Sequence, residues 1–274
     1  MKKIGFIGAG NMGGAIITAA CKQIPPQDIV IYDVDAKKAE ALSAETGCMV
    51  GHSYADVIHD VETVMLCVKP QFLEGVLKDV LPLFKAEYDQ GKRQVVGSIV
   101  AAYELNVLTE FFSNAGMNMP IIRLMPNTPV MIGQGIILFA NNEYAVEDDV
   151  DRMMEQFRMG GLCKHTSERT LSIACPLFSC SPAFAYMFIE AMADGGVQIG
   201  LFRDQAIELA AQAVLGSAAM VLQSGKHPAQ LKDAVCSPGG ITIVGVTELE
   251  KHGFRDAAIQ AVVKAFERQE EMSR

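Results

Sequence analysis

One glycine pattern constrains this chain more than any other feature. In IGFIGAGNMGGAI, residues 4–16, Gly8, Gly10 and Gly13 form G-x-G-x-x-G directly after a short apolar run and at the start of a helical pattern. A second apolar run, DIVIYD, follows at residues 28–33. The order predicts strand, tight turn, helix, strand. Gly8 permits the turn, Gly10 lets backbone approach a pyrophosphate, and Gly13 lets helix and strand pack closely. A pyrophosphate would then rest on the positive end of the helix. Gly8, Ala9, Gly10, Asn11, Met12 and Gly13 are therefore candidate cofactor-binding residues. Asp33 ends the second run. A carboxylate there suits the ribose hydroxyls of NADH and repels a 2′-phosphate. Lys37 and Lys38 follow closely and could attract that phosphate instead, so the choice between NADPH and NADH stays open here.

The same alternation continues through residue 165. Apolar runs KIGFIG, DIVIYD, ETVMLCV, RQVVGSIV, MPIIRLM and GIILFA are separated by helical patterns such as AKKAEALSAETG and EYAVEDDVDRMMEQFRMG. Strands alternating with helices predict an α/β fold with a doubly wound, mainly parallel sheet of Rossmann type. Beyond residue 167 the strand signal ends. SPAFAYMFIEAMADGGVQIG, RDQAIELAAQAVLGSAAMVLQSG and DAAIQAVVKAFERQEEM carry apolar residues at helical spacing. Several are apolar on more than one face, and a tail of this size has little with which to cover them. The expected organisation is a dinucleotide-binding domain over residues 1–166 and an all-helical domain over 167–274. The helical domain is expected to bury its surplus apolar surface in a homodimer.

Charge and cysteine usage narrow the function classes. Thirty-two acidic against 23 basic residues give a formal charge of −9, which argues against a nucleic-acid surface. It leaves room for an anionic cofactor held by backbone N–H groups. Seven cysteines, scattered and without C-x-x-C, indicate neither a disulfide framework nor a zinc site, and no metal is expected. They fit a reducing cytoplasm. Lys2 and Lys3 before Ile4–Ala20 imitate a secretory leader, yet the glycines are spaced for a turn. No other stretch approaches the ~18 uninterrupted apolar residues of a membrane span.

A second unusual stretch, VCSPGGITIVG, lies at residues 235–245. Pro238 fixes a turn, and Gly239 and Gly240 at a helix start offer successive N–H groups, an anion nest sized for a carboxylate. Ser237 can add a hydroxyl and Thr242 another. A plain helix cap is the alternative. With GFIGAGNMGGAI, VKPQ at 68–71, RLMPNTP at 123–129 and FIEAMADGGVQIGL at 188–201, the chain resembles the pyrroline-5-carboxylate reductase family over nearly its full length.

That resemblance implies reduction of 1-pyrroline-5-carboxylate to L-proline with NADPH or NADH, the last step of proline biosynthesis. It implies Thr242 at the imine nitrogen as the catalytic group, and Ser237, Gly239, Gly240, Ile241 and Glu168 as substrate contacts. It also implies Val68, Lys69 and Pro70 after the family's fourth strand, and Ile99, Val100 and Ala101 after its fifth, as cofactor contacts. A homodimer through the helical domain is implied, with rings of dimers known in the family. One segment departs from the family pattern. Ser179-Cys180-Ser181-Pro182-Ala183-Phe184 stands where Gly-Ser-Gly-Pro-Ala-Tyr is usual, and Tyr54 stands where asparagine is common. These changes leave two alternatives: a reductase for another cyclic imine, or a non-catalytic dinucleotide-binding paralogue.

Overall fold

Strands buried on both faces need apolar residues at every position, and the first half of the chain supplies them. In the computed structural model, which describes residues 2–272, eight strands form one sheet. They are β1 (Lys2–Ile7), β2 (Ile29–Tyr32), β3 (Met49–Val50), β4 (Val61–Leu66), β5 (Val95–Ser98), β6 (Ile121–Pro126), β7 (Gly135–Asn141) and β8 (Gly161–His165). Their order is β3-β2-β1-β4-β5-β6-β7-β8. All neighbours are parallel except β6 and β7. The first six positions reproduce the doubly wound dinucleotide-binding order.

The helices of this half are α1 (Asn11–Cys21), α2 (Ala36–Thr46), α3 (Tyr54–Ile58), α4 (Leu73–Asp89), α5 (Leu105–Asn114), α6 (Glu147–Phe157) and α7 (Glu168–Ser179). Side chains alternate across the sheet with the period of two that a pleat imposes. Ile4, Phe6, Ile29, Ile31 and Met65 enter one core, while Ile7, Val30, Val64 and Leu66 enter the other. Val80 and Phe84 of α4 and Leu108 and Phe112 of α5 close the second core. Ala15, Ile16, Ile17 and Ala20 are the buried face of α1, and Ile16, Ile17, Val150, Met153 and Phe157 close the first core from α1 and α6.

The remaining helices are α8 (Ser181–Gln198), α9 (Arg203–Ser224), α10 (Pro228–Ala234), α11 (Ile241–Lys251) and α12 (Phe254–Met272). The chain forms two compact units. One runs up to Ser179 and takes in α12 residues again from Gln269; the other is Cys180–Arg268. The first unit thus extends past residue 166 to take in α7. The helical unit has a small core of its own, in which Ala193, Ala206 and Ala210 pack with Ile189. Met187, Phe202, Leu209, Leu222, Val244 and Ile259 stand exposed in it, an apolar surface far larger than a lone domain of this size normally shows water. Two helical stretches, Glu168–Gln198 and Arg203–Ser224, are long and apolar enough to cross a membrane by length and composition. Homodimer interfaces are also more apolar than ordinary protein surface, so this composition does not by itself point to a membrane.

Candidate active site

The C-terminal ends of β1, β4 and β5 open into one cleft of about 670 Å³. A crevice at this position, where the strand order reverses between β1 and β4, is where doubly wound sheets bind ligands. The cleft is lined by Ala9, Gly10, Asn11, Met12 and Gly13 from the β1–α1 turn, by Val68, Lys69 and Pro70 after β4, and by Ile99 and Ala101 after β5. The structure brings these sequence-predicted residues together from three separate loops. Val100 does not join them. Its side chain is 1% exposed within the core of α4 and α5, because successive residues of an extended segment face opposite ways. The cleft also has lining residues that sequence reasoning missed: Lys38, Ala41, Leu42 and Glu45 of α2, and Cys67. Burial pushes the Cys67 thiol up, so it is a neutral wall.

The turn itself requires glycine at defined points. Gly8 has φ +105°, and a Cβ on it would lie 2.7 Å from the Cys67 carbonyl oxygen. At Gly13 a Cβ would lie 2.6 Å from the Gly8 carbonyl oxygen. Gly10 differs: a Cβ there meets no protein atom within 4 Å, so its bareness faces open space. Gly10 is the N-cap of α1, no side chain caps this end, and its first turn holds no acidic residue. The leading N–H groups of a helix lack intrahelical partners. An uncapped, carboxylate-free helix start facing a cleft with Lys69 at its rim fits a diphosphate.

Asp33 closes the other side of the turn. Its Oδ2 accepts the Ala9 N–H at 2.7 Å and its Oδ1 accepts the Asp35 N–H at 2.9 Å. Asp33 lines a neighbouring pocket with Gly8, Tyr32, Tyr54 and Asp79, and Val68 borders both spaces.

In the helical unit, Ser237–Gly240 make a tight turn. The Gly240 N–H donates to the Ser237 carbonyl at 3.0 Å, and Gly239 takes φ +67°, the position that favours glycine in a type II turn. This corrects the expected nest in one respect: the Gly240 N–H is engaged within the turn. The unpartnered donors at this helix start are instead those of the first turn of α11, which opens at Ile241 with Gly240 as its N-cap and no side-chain cap. Gly240 also approaches the Ser237 hydroxyl so closely that a Cβ would sit 2.4 Å from it. Ser237, Ile241 and Thr242 are exposed in this unit.

Glu168, expected beside the imino acid, is held by β6 and α5. Its Oε1 accepts from Nη1 of the buried Arg123 and from the Leu105 N–H at the start of α5. Arg123 Nε and Glu168 Oε2 are buried without partners. No spacing in the sequence signals this pair, since β6 and α7 meet only in the fold. Among the described residues, no group of three or more histidine, cysteine or acidic side chains could hold a metal ion.

Comparison with known proteins agrees with this geometry. Residues 168–272 match the family model for pyrroline-5-carboxylate reductase dimerisation, and residues 3–101 match the model for NADP oxidoreductase, coenzyme F420-dependent. The chain is 38% identical to pyrroline-5-carboxylate reductase of Escherichia coli, over all of this chain and 99% of that protein. It is also 38% identical to that of Glycine max, over 98% and 96%. Among solved structures, Plasmodium falciparum pyrroline carboxylate reductase with NADP bound is 29% identical. It aligns with a TM-score of 0.86 over 99% of this chain and 98% of that one.

Proposed function

The chain belongs to the pyrroline-5-carboxylate reductase family, and from that premise we infer that it reduces 1-pyrroline-5-carboxylate to L-proline with NAD(P)H, closing proline biosynthesis. The observation that carries the reading is the uncapped start of α1, open at Gly10 toward a cleft lined from three loops. That is the place for the cofactor's phosphates, with Gly8–Gly13, Val68–Pro70, Ile99 and Ala101 holding it. When bound, the reduced nicotinamide supplies a hydride to C5 of the cyclic imine while the ring nitrogen gains a proton.

The chain's own residues bind and orient. We assign the substrate carboxylate to the turn Ser237–Gly240 and the first-turn N–H groups of α11, which include Ile241. Thr242 donates a hydrogen bond to the imine nitrogen. A threonine hydroxyl is too weak an acid to be the ultimate proton source at neutral pH, so it polarises the imine and relays a proton from water. Glu168 we assign to holding Arg123 and α5, because its Oε1 is already engaged by both. Cofactor binding falls to residues 1–166, substrate binding and dimerisation to 167–274. The homodimer, with a ring of dimers above it, covers the apolar helices, and seven scattered cysteines without a C-x-x-C pair suit the cytoplasm.

The test is cofactor oxidation on addition of 1-pyrroline-5-carboxylate, with L-proline as product. The altered segment Ser179–Phe184, where Cys180 holds the N-cap position of α8 without a side-chain cap and Pro182 sits in its first turn, favours one second reading, a reductase for a different cyclic imine. Turnover on another ring size with none on pyrroline-5-carboxylate would select it.

A further inference from the structure

Beside the phosphate cleft lies a pocket of about 330 Å³ whose walls include Tyr32, Tyr54, Phe72 and Val76. The two tyrosine rings meet edge to face, centroids 4.9 Å apart and planes at 73°. Val68 is shared with the cleft, so a dinucleotide leaving the helix start of α1 enters this pocket next. Flat apolar walls suit a purine. Among the described residues, the charged groups lining it are Asp33 and Asp79, and no lysine or arginine joins them.

We propose that this pocket takes the adenosine end of the dinucleotide and that Asp33 and Asp79 select a free ribose 2′-hydroxyl over a 2′-phosphate, making NADH the preferred cofactor. The inference rests on the cofactor reading above. Asp33 is held in place by two backbone donors, Ala9 and Asp35. Each carboxylate oxygen keeps a further lone pair for a ribose hydroxyl. A phosphate in the same place would bring two negative charges against two carboxylates. Tyr54 reports the sign of the field: burial raises its phenol, and the charges of Tyr32, Asp79 and Asp33 raise it further. The lysines that could reverse the preference are elsewhere. Lys38 lines the phosphate cleft and pairs with Asp35 at 3.6 Å, and Lys37 lines neither space.

The experiment is equilibrium binding, read by cofactor fluorescence or calorimetry on the full-length protein without substrate. NADH should bind about 100-fold tighter than NADPH, the scale of two nearby like charges at a partly solvated site. ADP should compete with NADH far better than its 2′-phosphorylated analogue, which isolates the effect to the adenosine end. Asp79→Asn should narrow the NADH/NADPH ratio about tenfold, since one of two repelling charges is gone. Asp33→Asn should narrow it too, with a melting curve to confirm that the β1–α1 turn survives. Equal or tighter NADPH binding in the unaltered protein, or an unchanged ratio in a folded Asp79→Asn protein, overturns the inference alone. Failure to bind either cofactor overturns the functional reading beneath it.

Discussion

Replacing Gly10 by alanine separates binding from folding more cleanly than any other change in the turn. Gly10 sits at φ −69° and ψ −176°, a conformation any L-residue adopts, and an added Cβ meets no protein atom within 4 Å. Alanine is a poorer N-cap than glycine, but it also restricts the unfolded chain, so the net change in stability stays within about 1 kcal/mol. The methyl group projects into the cleft, where it holds a phosphate away from the leading N–H groups of α1. Losing one hydrogen bond to a charged partner costs about 1.5–3 kcal/mol, hence about 10- to 100-fold in cofactor affinity. Gly8→Ala provides the contrast. With φ +105° and a Cβ 2.7 Å from the Cys67 carbonyl oxygen, it carries backbone strain of about 1–3 kcal/mol before any overlap is counted. The assay pairs a melting curve with fluorescence titration of NADH and NADPH. Gly10→Ala should melt like the parent and bind poorly; Gly8→Ala should melt early. A Gly10→Ala protein that binds both cofactors as the parent does would refute the placement of the phosphates.

Thr242→Ala should lower kcat by about 10²-fold with cofactor affinity unchanged, and Thr242→Ser should restore much of it; steady-state kinetics and cofactor titration check both. Glu168→Gln leaves the Arg123 cation buried without a charged partner, and urea denaturation should show a loss of about 3 kcal/mol. Unchanged stability with a raised KM for the imine would instead place Glu168 on the substrate. Asp149 accepts hydrogen bonds from Arg93, Arg152 and the Val146 N–H with its own side chain fully buried. Burial alone would raise its carboxyl, but Arg93, the Val146 N–H and the charge of Arg152 together hold it below the usual carboxylate range. A lowered folded value means the stabilisation is complete above the unfolded value near pH 4 and fades as pH falls through the folded one. Asp149→Ala should therefore cost about 2–3 kcal/mol at neutral pH, with the gap to the parent closing in strong acid. Light scattering should find two chains or a multiple of two per particle, and Leu222→Asp, placed on an exposed apolar helix face, should weaken that assembly.

Six of the eight strands were legible as apolar runs because strands buried on both faces cannot dilute their pattern. The two that were not are edge strands. β3 is only Met49–Val50, and β8, Gly161–His165, is largely exposed and carries Lys164 and His165, which protect an edge and erase the signal. The cleft residues were readable because glycine spacing and the loops after β4 and β5 follow from topology. Val100 was not separable from Ile99 and Ala101, since only the pleat decides which of three neighbours turns inward. The Arg123–Glu168 pair and the engaged N–H of Gly240 depend on contacts and turn geometry that residue types alone leave open.

The most direct test of the central claim is a spectrophotometric assay on the purified full-length protein supplied with reduced cofactor. Absorbance of the reduced nicotinamide should fall only when 1-pyrroline-5-carboxylate is added, with L-proline appearing in equal amount. Cofactor that binds yet stays reduced with that imine, across the whole protein concentration range in which the dimer persists, would contradict the assignment.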